Sequence, residues 1–318
     1  MILTDYFRSD YDLSWDIAKQ CGVNHGVIRL PERDDFDLTD PSHWETVYKK
    51  FTDFGIKPII VEPMPNCVHD HIKIGDEKRD ECIEKVIKML PIMKKLNFES
   101  ICFNWMAYIG WLRTEFDIEE RGGALVTGFN INNFTSTDKV ITAEKLWENY
   151  EYFLNAVIPY AEKYEIKLAL HPDDPPVVHL GKVTRIMTSL DNIRWAIHHV
   201  RPSEMLGLTM CQANFHTMGE NVYKVIKEFK DKIFFVHFRN VIGTKNKFRE
   251  TFHDNGELDM AMLIKTYMEN KINVPIRVDH VPTLKDESTE VAGYAALGRL
   301  FAIGYMKGLI EMEEKNYD

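Results

Sequence analysis

Eight short apolar runs punctuate the chain, at residues 2–7, 26–30, 57–62, 99–104, 167–171, 206–210, 233–239 and 275–280. Each is continuous rather than alternating, rich in Val, Ile, Leu and Phe, and bounded by polar residues. Strands buried on both faces of a parallel sheet read this way. Between the runs lie longer stretches with a helical period. Residues 143–164 place Leu146, Tyr150, Phe153, Leu154 and Val157 on one face, and residues 77–96 do the same with Ile83, Val86, Ile87, Leu90 and Met93. Further helices are expected at 12–21, 42–54, 191–200, 219–229, 259–270 and 292–311. Gly22 and Gly55 stop two of them.

Eight strand–helix units in alternation predict an α/β protein, a single (β/α)8 TIM barrel over residues 1–318. The competing architecture is an open, doubly wound sheet. No glycine-rich G-x-G-x-x-G turn follows a strand, which weakens a dinucleotide-binding reading. Residues 105–138 form the least regular stretch. That is too long for a simple connection, so a loop covering the substrate is expected there. The charged tail from Glu311 reads as frayed.

Composition narrows the class. The chain has 318 residues, 45% of them hydrophobic and 28% charged, enough to fill one large barrel core. Thirty-nine Lys and Arg against 49 Asp and Glu leave a net charge of −10. That balance argues against nucleic acid as a partner and leaves room for a local basic pocket. Mean hydropathy is −0.29, and no run has the length of a membrane span, so no membrane role is expected. Asp5, Arg8, Asp10, Asp12 and Asp16 make the first twenty residues unlike a signal peptide. Five scattered cysteines are too few for a disulfide scaffold and point to a cytoplasmic setting.

In this fold, chemistry sits at the C-terminal ends of the strands. The fifth run ends in His171. The sixth is followed by Cys211. The seventh carries His237, and the eighth ends in Asp279 and His280. Consecutive strands thus bring imidazole, thiol, imidazole and carboxylate to one rim, the donor types of a transition-metal site. Any one of these alone has an ordinary structural use. Four in succession define a candidate metal centre. Thiolate with imidazole suits Zn2+ or Fe2+, and the carboxylate also suits Mn2+.

These residues lie in segments that resemble the mannonate dehydratases. The matching words run through most of the chain: VEPMP at 61–65, IK at 72–73, CFNWM at 102–106, WLRT at 111–114 and GGALVTGF at 122–129. They continue with HPDDPP at 171–176, TMC at 209–211, HFRN at 237–240, FHDNGELDM at 252–260, RVDH at 277–280 and GYAALGR at 293–299. The resemblance implies a xylose-isomerase-like TIM barrel that binds Mn2+, or Fe2+, through His171, Cys211, His237 and Asp279. It implies His280 and Tyr294 as proton-transfer residues. The chain departs from the family pattern at Ala107, Gly110, 212–216, Val278 and Val281.

The implied reaction removes the C2 proton of D-mannonate, expels the C3 hydroxide and yields 2-keto-3-deoxy-D-gluconate, a step of hexuronate breakdown. Hydroxide leaves poorly without a proton, so a base and an acid must face adjacent carbons. His280 and Tyr294 are suitable types in either role. Candidates for holding an anionic sugar acid are Arg113, Arg239, Arg277 and Arg299, with Asn104 and His253 for its hydroxyls. Glu62 fits either a sugar hydroxyl or a supporting partner for a ligand histidine. His69 is at most a pocket residue. Asp173 and Asp174 read as loop-shaping. A homo-oligomer is expected from barrels of this kind. The alternatives are a dehydratase of another aldonate, a metal-dependent sugar isomerase or epimerase, and an inactive sugar-acid-binding barrel.

Overall fold

The computed structural model describes residues 1–288 and 292–317. Among these, eight parallel strands close into a barrel in chain order. They are β1 (Ile2–Phe7), β2 (His25–Ile28), β3 (Lys57–Val61), β4 (Ser100–Phe103), β5 (Lys167–Leu170), β6 (Leu206–Cys211), β7 (Ile233–Phe238) and β8 (Pro275–Val278). The ladder closes where Ile2 pairs with Pro275 and Thr4 with Arg277. Every expected apolar run is a barrel strand, and closure excludes the open sheet.

The helices are α1 (Leu13–Gln20), α2 (Pro41–Phe54), α3 (Asn66–Ile74), α4 (Arg79–Lys95), α5 (Ala143–Tyr164), α6 (Leu190–Trp195), α7 (Gln212–Thr217), α8 (Val222–Glu228), α9 (Met260–Glu269) and α10 (Ala296–Tyr317). Their starts follow from local chemistry. The Asp12 and Asp40 side chains accept from the backbone N–H groups of Ser14 and Ser42, and Thr142 caps α5. Gly55 ends α2 with φ 87°, a left-handed turn that glycine adopts freely. α10 continues through Tyr317, past the point where the tail reads as frayed, and Asp318 lies outside the described residues. No described helix is long and apolar enough to cross a membrane.

Side chains alternate along each strand, and this places the chemistry. Ile101 and Phe103, Leu168 and Leu170, Leu208 and Met210, Val236 and Phe238, and Ile276 and Val278 join the large core beneath the helices. The alternate positions face the barrel axis. Val27, Cys102 and Phe235 form a small separate apolar layer there. Two residues above Phe235 is His237. By the same step, Ala169 leads to His171, Thr209 to Cys211 and Arg277 to Asp279. The sequence therefore sends one alternation into the core and the other to the rim.

Residues 105–138 are more regular than expected. Glu115–Glu119 and Leu125–Asn130 pair antiparallel. Lys247–Glu250 and Val241–Thr244, from the connection after β7, complete a four-stranded sheet. Phe129, Val241 and Phe248 pack with Val177, Leu180 and Ala213 in a second apolar cluster. Leu125 and Thr283 exchange backbone hydrogen bonds of 2.9 and 2.8 Å, tying the sheet to the connection after β8.

Candidate active site

His171, Cys211 and His237 come together, with one donor atom of each within 4.8 Å of the others. The backbone ladder holds them. Cys211 is the register partner of His237, and the N–H of His171 donates to the Phe103 carbonyl at 2.7 Å. Asp279 lies one residue past β8, its N–H donating to the Phe238 carbonyl at 3.0 Å. Its Oδ2 is 3.7 Å from His237 Nδ1. Three of the four expected ligands thus meet at the rim, and the fourth, Asp279, stands beside His237.

The donor chemistry fits an ion. His171 Nδ1 lies 2.6 Å from the Pro172 carbonyl, which takes a proton on that nitrogen and leaves Nε2 with a lone pair. His237 Nε2 lies 2.9 Å from Glu62 Oε1, in ion-pair range but off the line of a hydrogen bond. A carboxylate on that side favours a lone pair on Nδ1. The two free nitrogens face each other at 3.2 Å. Ligand atoms about 2.1 Å from a shared tetrahedral ion sit about 3.4 Å apart, so this spacing matches.

Two carboxylates, Glu62 and Asp279, frame the centre. Burial works against ionising Glu62, yet Arg277 and His237 hold its carboxyl well below the usual range. Arg277 donates to it through Nε at 2.9 Å and Nη2 at 3.1 Å, and to Asp279 Oδ1 through Nη1 at 2.8 Å. Burial opposes ionisation of Asp279 as well, but His280, Arg277, His237 and Arg239 outweigh it, and its carboxyl also titrates well below the usual range. Glu62 therefore serves as the partner of His237.

His280 stands beside this centre. β8 has ended at Val278, and His280 takes a φ of 33°, so its side chain and that of Asp279 both reach the cavity. A residue with a side chain rarely adopts that backbone, and such strain is commonly kept at functional sites. Arg239 Nη1 donates to His280 Nδ1 at 2.5 Å, and Glu250 Oε1 lies 3.1 Å from the same nitrogen. A lone pair there meets the guanidinium, and a proton there meets the carboxylate. The surroundings thus accept His280 in either neutral tautomer. Trp111 covers it with ring centroids 5.1 Å apart, and Tyr294 meets it edge-on at 5.4 Å. Burial, with Asp279 adding to it, pushes the Tyr294 hydroxyl well above its ordinary value, so it keeps its proton at neutral pH.

One cavity of about 660 Å3 opens onto these groups. Asn104, His171, His237, Arg277, Asp279, His280 and Tyr294 line it. Arg113, Arg239 and His253 do not, which departs from their expected part in holding substrate. Arg113 is buried, with both ends of its guanidinium on Asp174 at 2.7 and 3.0 Å and Nη2 on Glu250 at 2.5 Å. Arg239 holds Asp174 and Asn214 besides His280. His253 bonds the Phe238 carbonyl and stacks on the Phe238 ring. Burial lowers its pKa to about 4. All three hold the ring and backbone around His280 and β7. Arg299 is committed to Asp5 and to the Tyr6 carbonyl. His69 lies among Phe103, Trp105 and Phe153 rather than in the cavity. Sequence reasoning missed Glu250, the acid that joins Arg113, Arg239 and His280. Its strand pairs across the four-stranded sheet, and no local pattern announces that pairing.

The fold is that of the xylose-isomerase-like TIM barrels, with cysteine, histidine and aspartate side chains gathered at its C-terminal rim. Comparison with known proteins gives the family. The D-mannonate dehydratase (UxuA) family model matches residues 6–140 and 130–318, and the chain belongs to this family. It is similar to a mannonate dehydratase of Brachyspira hyodysenteriae, at 31% identity over 92% of each chain. The crystal structure of mannonate dehydratase from Streptococcus suis serotype 2 superposes with a TM-score of 0.90 at 24% identity, covering 100% of this chain and 94% of that one. A xylose isomerase domain protein from Planctomyces limnophilus shares the fold, with a TM-score of 0.61 at 12% identity over 98% of this chain and 97% of its own.

Proposed function

We propose that this chain is a hydro-lyase that dehydrates D-mannonate to 2-keto-3-deoxy-D-gluconate in hexuronate breakdown, working in the cytoplasm. The observation that carries the reading is the cluster of His171, Cys211 and His237, with Asp279 beside His237, next to the cavity that His280 and Tyr294 line. Family membership supplies the substrate class. The four ligands would hold Mn2+ or Fe2+, which when bound supplies Lewis acidity to substrate oxygens as charge develops.

The chain's own groups then do the following. Tyr294, kept protonated by burial, gives its proton to the hydroxide leaving C3. His280, in the tautomer whose Nδ1 proton faces Glu250, has its Nε2 lone pair free to take the proton from C2. The enol so formed tautomerises to the 2-keto acid. Arg239 and Glu250 hold the His280 ring through its other nitrogen. Trp111 shields it from solvent. A related aldonate is the second reading, favoured by Gly110, a departure from the family pattern that lines the cavity.

The test is a panel of aldonates offered to anaerobic protein loaded with Mn2+ or Fe2+. The expected result is a 2-keto-3-deoxy acid, formed fastest from D-mannonate. An epimerised or isomerised sugar acid with no loss of water would overturn the lyase reading.

A further inference from the structure

A sugar acid needs a cation for its carboxylate, and the cations around this cavity can be sorted by what they already hold. Arg277 is spent on Glu62 and Asp279. Arg299 is buried on Asp5. Lys73 is buried and pairs with Asp70 at 2.8 Å. Arg113 and Arg239 lie behind His280, outside the cavity lining.

Two guanidinium groups remain, on the wall opposite the β5–β7 ligands. Phe7 and Ile28 are register partners at the ends of β1 and β2, so Arg8 and Arg29 leave the sheet side by side. Both line the cavity. Among the described residues, nothing pairs with the Arg8 side chain. Arg29 has one carboxylate partner, Glu32, at 2.9 Å, with 38% and 32% of the two side chains exposed. An exposed pair of this kind is weak, and a carboxylate ligand can displace it at little cost. Arg29 is also fixed in place. Its N–H donates to the Phe7 carbonyl at 2.9 Å, and its guanidinium lies within hydrogen-bonding reach of the Tyr6 hydroxyl. The Tyr6 ring packs 5.4 Å from that of Tyr294, so this wall adjoins one of the two proton-transfer groups.

We propose that Arg29, with Arg8 beside it, receives the carboxylate of the sugar acid and makes the cavity select anions. A guanidinium offers a planar fork that matches a carboxylate. With C1 on this wall, C2 and C3 extend toward Tyr294 and His280. The inference rests on the sugar-acid lyase reading.

The test compares wild type, Arg29→Gln, Arg29→Lys and Arg8→Gln as full-length, Mn2+-loaded protein. Steady-state turnover of D-mannonate is measured, with D-mannitol, which lacks the carboxylate, as a competitive inhibitor. The expected result for Arg29→Gln is a KM raised about tenfold or more, with kcat within about threefold. Arg8→Gln should shift KM less, and Arg29→Lys should recover part of the loss. D-mannitol should inhibit all four equally. An unchanged KM in Arg29→Gln overturns the inference, as does an equal loss of D-mannonate and D-mannitol binding, which marks a structural role. If wild type turns over no D-mannonate, the lyase reading fails by itself. The inference is then read from calorimetric binding of aldonates, where a loss on Arg29→Gln supports it. Equal binding by both proteins, or binding by neither, overturns it.

Discussion

His237 carries the most constrained chemistry in the barrel. One nitrogen faces Glu62 and the other faces His171 Nε2, and both carboxylates near it are held ionised by arginine. Without an ion between them, two lone pairs 3.2 Å apart are unfavourable. Cys211→Ala and His237→Ala should therefore each lose the bound ion while the barrel still folds. Metal analysis and circular dichroism of the purified variants check this, and full occupancy in both would refute the ligand assignment. At this scale the rim was readable because strand-end chemistry depends only on where each strand stops. The support around it was not. Glu250, Asp174 and Arg113 join from three separate connections, and nothing local pairs them. Arg239 and His253 read as substrate contacts because they flank the right strand, yet each is turned into buried structure.

The strands and long helices follow from their own sequences, and the barrel tolerates little change along them. Gly207 in β6 shows the limit. A Cβ there would stand 2.3 Å from the Lys232 carbonyl oxygen and 2.5 Å from the Phe234 ring. Backbone cannot yield as a side chain does. Gly207→Ala should cost about 1–3 kcal/mol, read as a lowered urea midpoint with an unchanged slope. An unchanged midpoint would mean that β6 and β7 can part at that point. The elements that escaped the hydrophobic pattern did so for physical reasons. α3 buries His69 and Lys73 beside Val68 and Ile72, and its first turn has no side-chain cap, so neither period nor start signal stands out. The strands within 105–138 find their partners in 241–250, and non-local pairing leaves no periodic trace.

Across the whole molecule, buried ionisable groups set the response to pH. His253 titrates near 4 in the folded chain and near 6.5 when unfolded. Between those values the unfolded chain takes up a proton that the folded chain refuses. Stability therefore falls as pH drops through that window, by up to about 1.4 kcal/mol per unit for this one group. Burial lowers His69 too, which adds in the same direction. Glu62 and Asp174 have folded values below the usual range, so their stabilisation is present above about pH 4 and is lost below it. Melting temperature should thus decline from about pH 6.5 and fall steeply under about pH 4. His253→Gln should flatten the upper part. A flat profile from pH 7 to 4 in wild type would show that these groups are not buried as described.

The central claim is that this barrel removes water from a sugar acid with His280 as a proton-transfer group. The most direct measurement incubates metal-reconstituted, anaerobic protein with D-mannonate and assays 2-keto-3-deoxygluconate, with His280→Ala alongside. Product from the wild type that vanishes in the variant is the predicted result. No product from wild-type protein carrying its ion, or equal product from both, would contradict the account.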